Sequence, residues 1–176
     1  EDQDAPDRIK RITDTMNRYL SKKLLRETGE QFILVKRTFG NEKRARWGLV
    51  AALDLECYDY SKGSTTLIRA TEGTIVSRIP PRMRIREHAP MELPHILVLI
   101  DDPLRGVIEP LAAEAPSLPV EYDFNLMAGS GHVTGYRIDS ERLFEGIADG
   151  LEKIADREAF MKKYGNSDLL LYAMGD

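Results

Sequence analysis

The chain has one cysteine, three histidines and one tryptophan among its 176 residues. The single Cys57 excludes an intramolecular disulfide framework and any zinc site built from several cysteines. No apolar run reaches the roughly 18 residues that a membrane-spanning helix requires. The acidic start also lacks the basic and then apolar pattern of a signal peptide. These absences predict a soluble protein of a reducing compartment, and we expect a cytoplasmic location without membrane partners.

Aromatic residues make up only 7% of the chain and the formal net charge is −4, and both values disfavour a nucleic-acid partner. The charge is unevenly placed. Residues 31–90 hold 11 Lys and Arg against 6 Asp and Glu, whereas residues 101–176 hold 7 against 15. Either the basic part forms a face that attracts anions, or the difference is ordinary variation of surface charge.

The composition is that of a globular protein, with 42% hydrophobic and 31% charged residues. Apolar spacing and turn residues predict a helix over 6–27, followed by a hairpin of strands 31–39 and 46–55. A buried strand over 95–100 and a helix over 103–115 come next. The rest of the chain is predicted to form a second hairpin over 118–138, helices over 140–164 and a strand over 169–173. This order is neither regular βαβ alternation nor all-β, so we predict an α+β fold. The predicted parts are an N-terminal helix, 1–29, and a mixed domain, 30–176.

The segment between the first hairpin and the strand at 95–100 has the least regular pattern. A short strand is predicted at Thr66–Ile68 and a short helix at Thr71–Ile79, which Pro80 and Pro81 are expected to end. After the prolines, arginines alternate with apolar residues over 82–86. A period of two is typical of an extended strand, so this stretch is predicted to be one.

Arginines are concentrated between residues 69 and 86, and the loop of the first hairpin is also basic at Lys43, Arg44 and Arg46. Guanidinium groups suit phosphate because they form two parallel, charge-assisted hydrogen bonds with it. The candidate phosphate-binding residues are Arg69, Thr71, Glu72, Thr74, Arg78, Arg82, Arg84 and Arg86. In an extended segment, the last three would share one face. The other interpretations are an edge strand with solvated charge and contact with a nucleic-acid backbone.

Two acidic residues, Asp101 and Asp102, follow the predicted strand 95–100 directly. Carboxylates at the end of a strand can hold Mg²⁺ through oxygen ligands, and Mg²⁺ beside arginines suits phosphoryl transfer. The other interpretation is that one of them caps the helix that begins near Pro103. Similarly, Gly129-Ser130-Gly131 before His132 either binds an anion or forms a hairpin turn, and the pattern favours the turn.

Several short segments are typical of one bacterial family. They are Arg46–Val50, Gly63-Ser64, Ile68–Thr74, Arg78–Arg82, Ile85-Arg86, Glu92–His95, Leu99–Asp102 and Leu171–Asp176. Together they resemble the family called domain of unknown function 1015, whose members are often labelled as SpoOJ/ParA/ParB/repB-type proteins. The resemblance covers roughly residues 30 to 176.

The resemblance implies a relation to the ParB and sulfiredoxin superfamily, which includes nucleotide-dependent free serine kinases and CTP-binding partition proteins. It also implies that the chain is an internal piece of a longer protein, ending at Gly175-Asp176 within a signature of that superfamily. We therefore expect a kinase-like enzyme that binds a nucleotide or a phosphorylated small molecule with Mg²⁺, and in which Asp176 is catalytic. The alternatives are a non-catalytic DNA-partition or regulatory module and a structural domain.

Overall fold

A computed structural model describes residues 5–39, 44–59, 61, 66, 68–70, 73, 75–93, 95–165 and 172–175. The helices are α1 (Ala5–Ser21), α2 (Ile79–Arg86), α3 (Ile108–Glu114), α4 (Glu141–Ala155) and α5 (Arg157–Tyr164). The strands are β1 (Phe32–Thr38), β2 (Ala45–Val50), β3 (Ile68–Ala70), β4 (Leu97–Ile100), β5 (Val120–Asn125), β6 (His132–Ile138) and β7 (Tyr172–Gly175). The fold is therefore α+β, as predicted. Within the described ranges, no helix combines the length and apolar character needed to cross a membrane.

The chain forms two compact units. Unit 1 comprises residues 1–29, 70–98 and 174–176, and it contains α1 and α2, which contact each other. Unit 2 comprises residues 30–69 and 99–173, and it contains α3, α4, α5 and a four-stranded sheet. The three short strands pair in the order β3-β7-β4. The predicted division of the chain into 1–29 and 30–176 stays a prediction.

The sheet of unit 2 is antiparallel, with the strand order β2-β1-β6-β5. β1 pairs with β2, and β5 pairs with β6, so both predicted hairpins are confirmed. β1 also pairs with β6, from Phe32 opposite Ile138 to Thr38 opposite His132. This central pairing joins the two hairpins into one sheet.

The buried cluster that joins the helices to the sheet of unit 2 lies on one face of this sheet. Leu34 and Ile138 are fully buried and pack in one cluster with Leu111 of α3 and with Leu143 and Ile147 of α4. The spacing of four residues between the last two places both on one side of α4. We call this side of the sheet the helix face and the opposite side the reverse face.

The first helix is confirmed but ends at Ser21, six residues earlier than predicted. The Lys23 N–H donates to the Leu20 carbonyl and the Leu24 N–H to the Tyr19 carbonyl, both at 2.9 Å. Lys23 has a φ of 55°, so these bonds form a left-handed C-terminal cap. The predicted end was wrong because the capping position, which usually takes glycine, is occupied by Lys23.

The prediction for residues 75–86 was wrong in its main point, and residues 71, 72 and 74 of the predicted helix lie outside the described residues. A 3-10 turn at Val76–Arg78 leads into α2, which contains both Pro80 and Pro81 in its first turn. Proline is tolerated there because the first N–H groups of a helix have no partner within the helix. The prolines therefore begin a helix rather than end one, and residues 82–86 are not extended.

The strand predicted over 95–100 exists as β4, but its side chains are not all buried. Leu97 and Leu99 are 50% and 59% exposed, whereas Val98 and Ile100 are partly buried. β4 is an edge strand, and an edge strand can leave one face uncovered even when its sequence is continuously apolar. The next helix, α3, begins at Ile108 rather than 103.

The helices predicted over 140–164 are confirmed as α4 and α5. Asp156 separates them, and its carboxylate accepts hydrogen bonds from the N–H groups of Glu158 at 3.0 Å and Ala159 at 3.1 Å. At the end of the chain, β7 includes Gly175, so the strand extends beyond its predicted end at 173. Residues 169–171 of that prediction lie outside the described residues.

Candidate functional site

The four arginines of the 78–86 segment lie on two sides of a helix. Side chains four residues apart are neighbours on a helix surface, whereas side chains two apart point to nearly opposite sides. Arg78, Arg82 and Arg86 therefore form one row, which we call the α2 arginine row, and Arg84 lies on the other side. All four are exposed. The predicted common face of residues 82, 84 and 86 was wrong, because it assumed a strand.

Arg86, at the end of the α2 arginine row, already binds a carboxylate. Its Nε donates to Glu92 Oε2 at 2.5 Å and its Nη2 donates to Oε1 at 3.1 Å. The hydrogen bond with Glu92 raises the pKa of Arg86, and the same bond lowers the pKa of the Glu92 carboxyl. Both side chains are about half exposed, so solvent screens the pair and its contribution to stability is small. Arg82 also has an interaction partner.

Asp102 accepts a backbone hydrogen bond beside α3, which is close to the capping role that the sequence suggested for Asp101 or Asp102. Its Oδ2 accepts a hydrogen bond from the N–H of Val107 at 2.9 Å, directly before α3. Val107 is buried, and a Cβ added at Gly150 of α4 would lie 3.0 Å from its Cγ2. Asp102 thus holds the loop on which α4 packs closely. Any role of Asp102 toward a metal stays a prediction.

The described residues do not form a complete metal site. Nowhere within these ranges do three His, Cys, Asp or Glu side chains come together as such a site would need. Mg²⁺ is usually held by one or two carboxylates, several waters and the phosphates of a substrate. Asp102 already accepts a backbone hydrogen bond, and the predicted Mg²⁺ roles of Asp101 and Asp102 stay predictions.

Some of the predicted site residues lie outside the described residues. They are Thr71, Glu72, Thr74 and Asp176. Arg69 lies in β3. The predicted phosphate-binding roles of these residues, and the catalytic role of Asp176, stay predictions.

The Gly129-Ser130-Gly131 segment forms the turn between β5 and β6, as the pattern favoured. A Cβ at Gly131 would lie 1.9 Å from the Thr38 carbonyl oxygen, so only glycine fits there. His132 follows the turn, with Nε2 2.8 Å from Asp123 Oδ1 and Nδ1 2.8 Å from Asn125 Oδ1. Both ring nitrogens thus contact the neighbouring strand, which makes His132 a poor candidate for a ligand or a general base.

The first hairpin contains a second arginine cluster. Sequence reasoning did not predict that Arg37 lies together with Arg44 and Arg46. Arg37 lies directly opposite Arg46, and their guanidinium carbons are 5.4 Å and 5.9 Å from the ring centroid of Phe39. Sequence reasoning identified Arg44 and Arg46 only as part of a basic loop. The available signal was the two-residue spacing between Arg37 and Phe39 and between Arg44 and Arg46. That spacing places all four on one face once the register is known.

The comparisons with known proteins give a family but no activity. Neither a curated protein nor a solved structure matches the chain. Residues 1–160 match the family described as "Protein of unknown function (DUF1015)". The match includes α2, Asp101, Asp102 and all four strands of the sheet in unit 2. The chain therefore belongs to the DUF1015 family, as the sequence resemblance indicated.

Proposed function

We propose that the protein binds a nucleotide or another phosphorylated small molecule through the α2 arginine row, as the ligand-binding part of a kinase-like enzyme. The observation that carries the proposal is the four-residue spacing of Arg78, the N-cap residue of α2, and of Arg82 and Arg86 along one exposed side of the helix. Neighbours in such a row have Cβ atoms about 5–6 Å apart. Two guanidinium groups at this spacing can share the oxygens of one phosphate.

The contact between Arg86 and Glu92 supports this ligand class. It is a two-point hydrogen bond between a guanidinium group and an oxyanion, which is the geometry that phosphate also accepts. An exposed ion pair of this kind contributes little to stability. Replacing the carboxylate of Glu92 by a phosphate therefore costs the protein little, and the dianionic phosphate gains more from the same arginines.

The kinase-like part of the proposal depends on the sequence resemblance. It assigns Asp176 as the catalytic carboxylate and Asp101 and Asp102 as candidate ligands of Mg²⁺. The relation to the ParB and sulfiredoxin superfamily stays a prediction. Binding of the phosphorylated ligand and catalysis are separate parts of the proposal, because binding requires only the arginines.

Calorimetric titration with ATP, CTP and inorganic phosphate, each with and without Mg²⁺, tests the proposal. We expect saturable binding of at least one of them. The double variant Arg78→Ala/Arg82→Ala should weaken it by at least about tenfold, because hydrogen bonds to charged groups contribute about 1.5–3 kcal/mol each. Each single variant, Arg78→Ala or Arg82→Ala, is compared with Arg84→Ala, which removes one positive charge from the other side of α2 and should change binding less than about twofold. An equal loss in Arg84→Ala, or no binding at all, would overturn the proposal.

A structural role for these arginines is the second candidate, and the ion pair of Arg86 with Glu92 favours it. In that case no phosphorylated compound binds to the protein or protects it against thermal unfolding. Steeply salt-dependent binding of duplex DNA, reduced by Arg78→Ala/Arg82→Ala, would instead favour the DNA-partition alternative.

A further inference from the structure

The register of the sheet in unit 2 determines which side chains share the reverse face. Residues directly opposite each other on paired strands point to the same face. Two neighbouring rows across all four strands can therefore be followed on this face. They are Arg46, Arg37, Val133 and Phe124 in the first row, and Gly48, Val35, Gly135 and Tyr122 in the second. Toward the hairpin end, the Phe39 N–H donates to the Arg44 carbonyl at 3.2 Å, so this pair continues the same face.

The arginine end of this face carries like charges side by side. Arg37 and Arg46 are both exposed and lie directly opposite each other, an arrangement that destabilises a strand pair. Phe39 holds both guanidinium groups through cation–π contacts. Among the described residues, neither arginine pairs with a carboxylate. Arg44 adds a third exposed positive charge. An anion bound between these groups would remove the repulsion between them.

The other residues of the two rows are glycine, valine, tyrosine and phenylalanine. A Cβ at Gly48 would meet nothing within 4 Å, whereas at Gly135 it would lie 2.3 Å from Cζ of Tyr122, so this ring covers Gly135. Burial raises the pKa of the Tyr122 hydroxyl, in agreement with this packing. Phe124 lies beside Tyr122, with ring centroids 5.9 Å apart, and is half exposed. Neither row contains a carboxylate, and both lie wholly within the described residues.

The aromatic part of the reverse face lies beside its arginine part. Adjacent strands are about 4.8 Å apart, which places Phe124 about 10 Å from Arg37 and about 14 Å from Arg46. Proteins bind single strands by stacking bases on exposed aromatic rings beside a positively charged track. In a duplex the bases are stacked on each other and are not available to a side chain.

We propose that the reverse face of this sheet binds single-stranded nucleic acid. Arg37, Arg44 and Arg46 contact the phosphates, and Phe124 stacks on a base. The surface lies entirely in unit 2, so the inference does not depend on nucleotide binding by the α2 arginine row in unit 1. The small overall number of aromatic residues does not contradict it, because one exposed ring beside an arginine cluster is enough for stacking.

Fluorescence polarisation with labelled oligo(U) and oligo(dT) across a range of salt concentrations tests this proposal. We expect binding that weakens as salt rises. The variant Arg37→Ala/Arg46→Ala should bind more weakly and lower the slope of log affinity against log salt by about 1.4, which is about 0.7 for each of two lost phosphate contacts. Phe124→Ala should weaken binding by roughly tenfold with the slope unchanged, because it removes only stacking.

Arg105→Ala/Arg142→Ala is the matched control. It removes two exposed arginines from unit 2 outside the sheet, with side chains 76% and 68% exposed, and should leave binding within about twofold. Circular dichroism establishes that each variant is folded. The absence of binding at low salt, an equal loss in the control, or a duplex that binds as tightly as the single strand would each overturn the proposal. Phe124→Ala should leave the calorimetric titration with ATP or CTP unchanged, which separates this surface from the proposed site on α2.

Discussion

Units 1 and 2 differ most in how much apolar surface they bury. Among the described residues, every buried side chain belongs to unit 2. These are Ile33, Leu34, Val107, Leu111, Ala115, Thr134, Ile138, Leu143 and Ile147. In unit 1, α1 and α2 contain no buried residue, and Leu24, Val76 and Met83 are 65%, 74% and 47% exposed. Since apolar burial is the main source of folding free energy, the core of unit 2 contributes most of the stability.

This difference bears on the two proposed ligand sites. Elements that bind ligands are often drawn from the less stable parts of a protein, because binding frequently requires local movement. The α2 arginine row lies on a helix that has no buried residue. The arginine cluster around Phe39 instead lies on a sheet with a packed core behind it. We therefore expect the proposed ligand of unit 1 to stabilise the protein locally, and the proposed ligand of unit 2 to bind a preformed surface.

The largest expected difference between the units is in the response to loss of an apolar side chain. Leu34→Ala removes a fully buried side chain from the core of unit 2 and should lower the free energy of unfolding by about 2–5 kcal/mol. Met83→Ala in unit 1 removes a half-exposed one and should cost less than about 1 kcal/mol. Urea denaturation followed by circular dichroism measures both. Similar costs would contradict the assignment of the core to unit 2.

A smaller difference is expected between two glycines with positive φ. Gly131 has a φ of 114°, and a Cβ there would lie 1.9 Å from a backbone oxygen, so Gly131→Ala should cost on the order of 3 kcal/mol. Gly29 in unit 1 has a φ of 78° with nothing within 4 Å. Gly29→Ala should therefore cost only the backbone strain of about 1–2 kcal/mol. Thermal denaturation of the two variants checks the order, and a larger effect at Gly29 would show that unit 1 is packed more tightly than its exposure indicates.

The smallest effect concerns the exposed ion pair of unit 1. The hydrogen bond from Arg86 lowers the pKa of Glu92 below its ordinary value of 4.5. A carboxyl with a lowered pKa adds stability that is present above the ordinary pKa and is lost as the pH falls through the lowered value. Because the pair is exposed, this contribution should barely move the unfolding midpoint.

Carboxyl NMR titration provides the measurement for this pair. Arg86→Gln should return the pKa of Glu92 toward 4.5, whereas Arg84→Gln, on the other side of α2, should leave it lowered. An unchanged pKa in Arg86→Gln would mean that the two side chains do not pair in solution.

Local patterns of sequence predicted most of unit 2 correctly. The continuous apolar run of β1, the apolar and polar alternation of β5 and the helical spacing of α4 are strong signals. The pattern failed at α2, where five residues that alternate between arginine and apolar types fit either a strand or a helix. The first-turn position of Pro80 and Pro81 decides for the helix, but a proline pair by itself predicts only a break.

The amino-acid sequence by itself determined the fold class, the two hairpins, the family and the concentration of arginines in two segments. The tertiary structure decided which of those arginines lie together. Arg84 is separated from its neighbours because α2 turns about 100° per residue. Arg37 and Arg46 meet because the register of β1 and β2 sets them opposite each other. Similarly, Leu34 and Leu97 are the same residue type, but only Leu34 is buried, because burial depends on what packs against a strand.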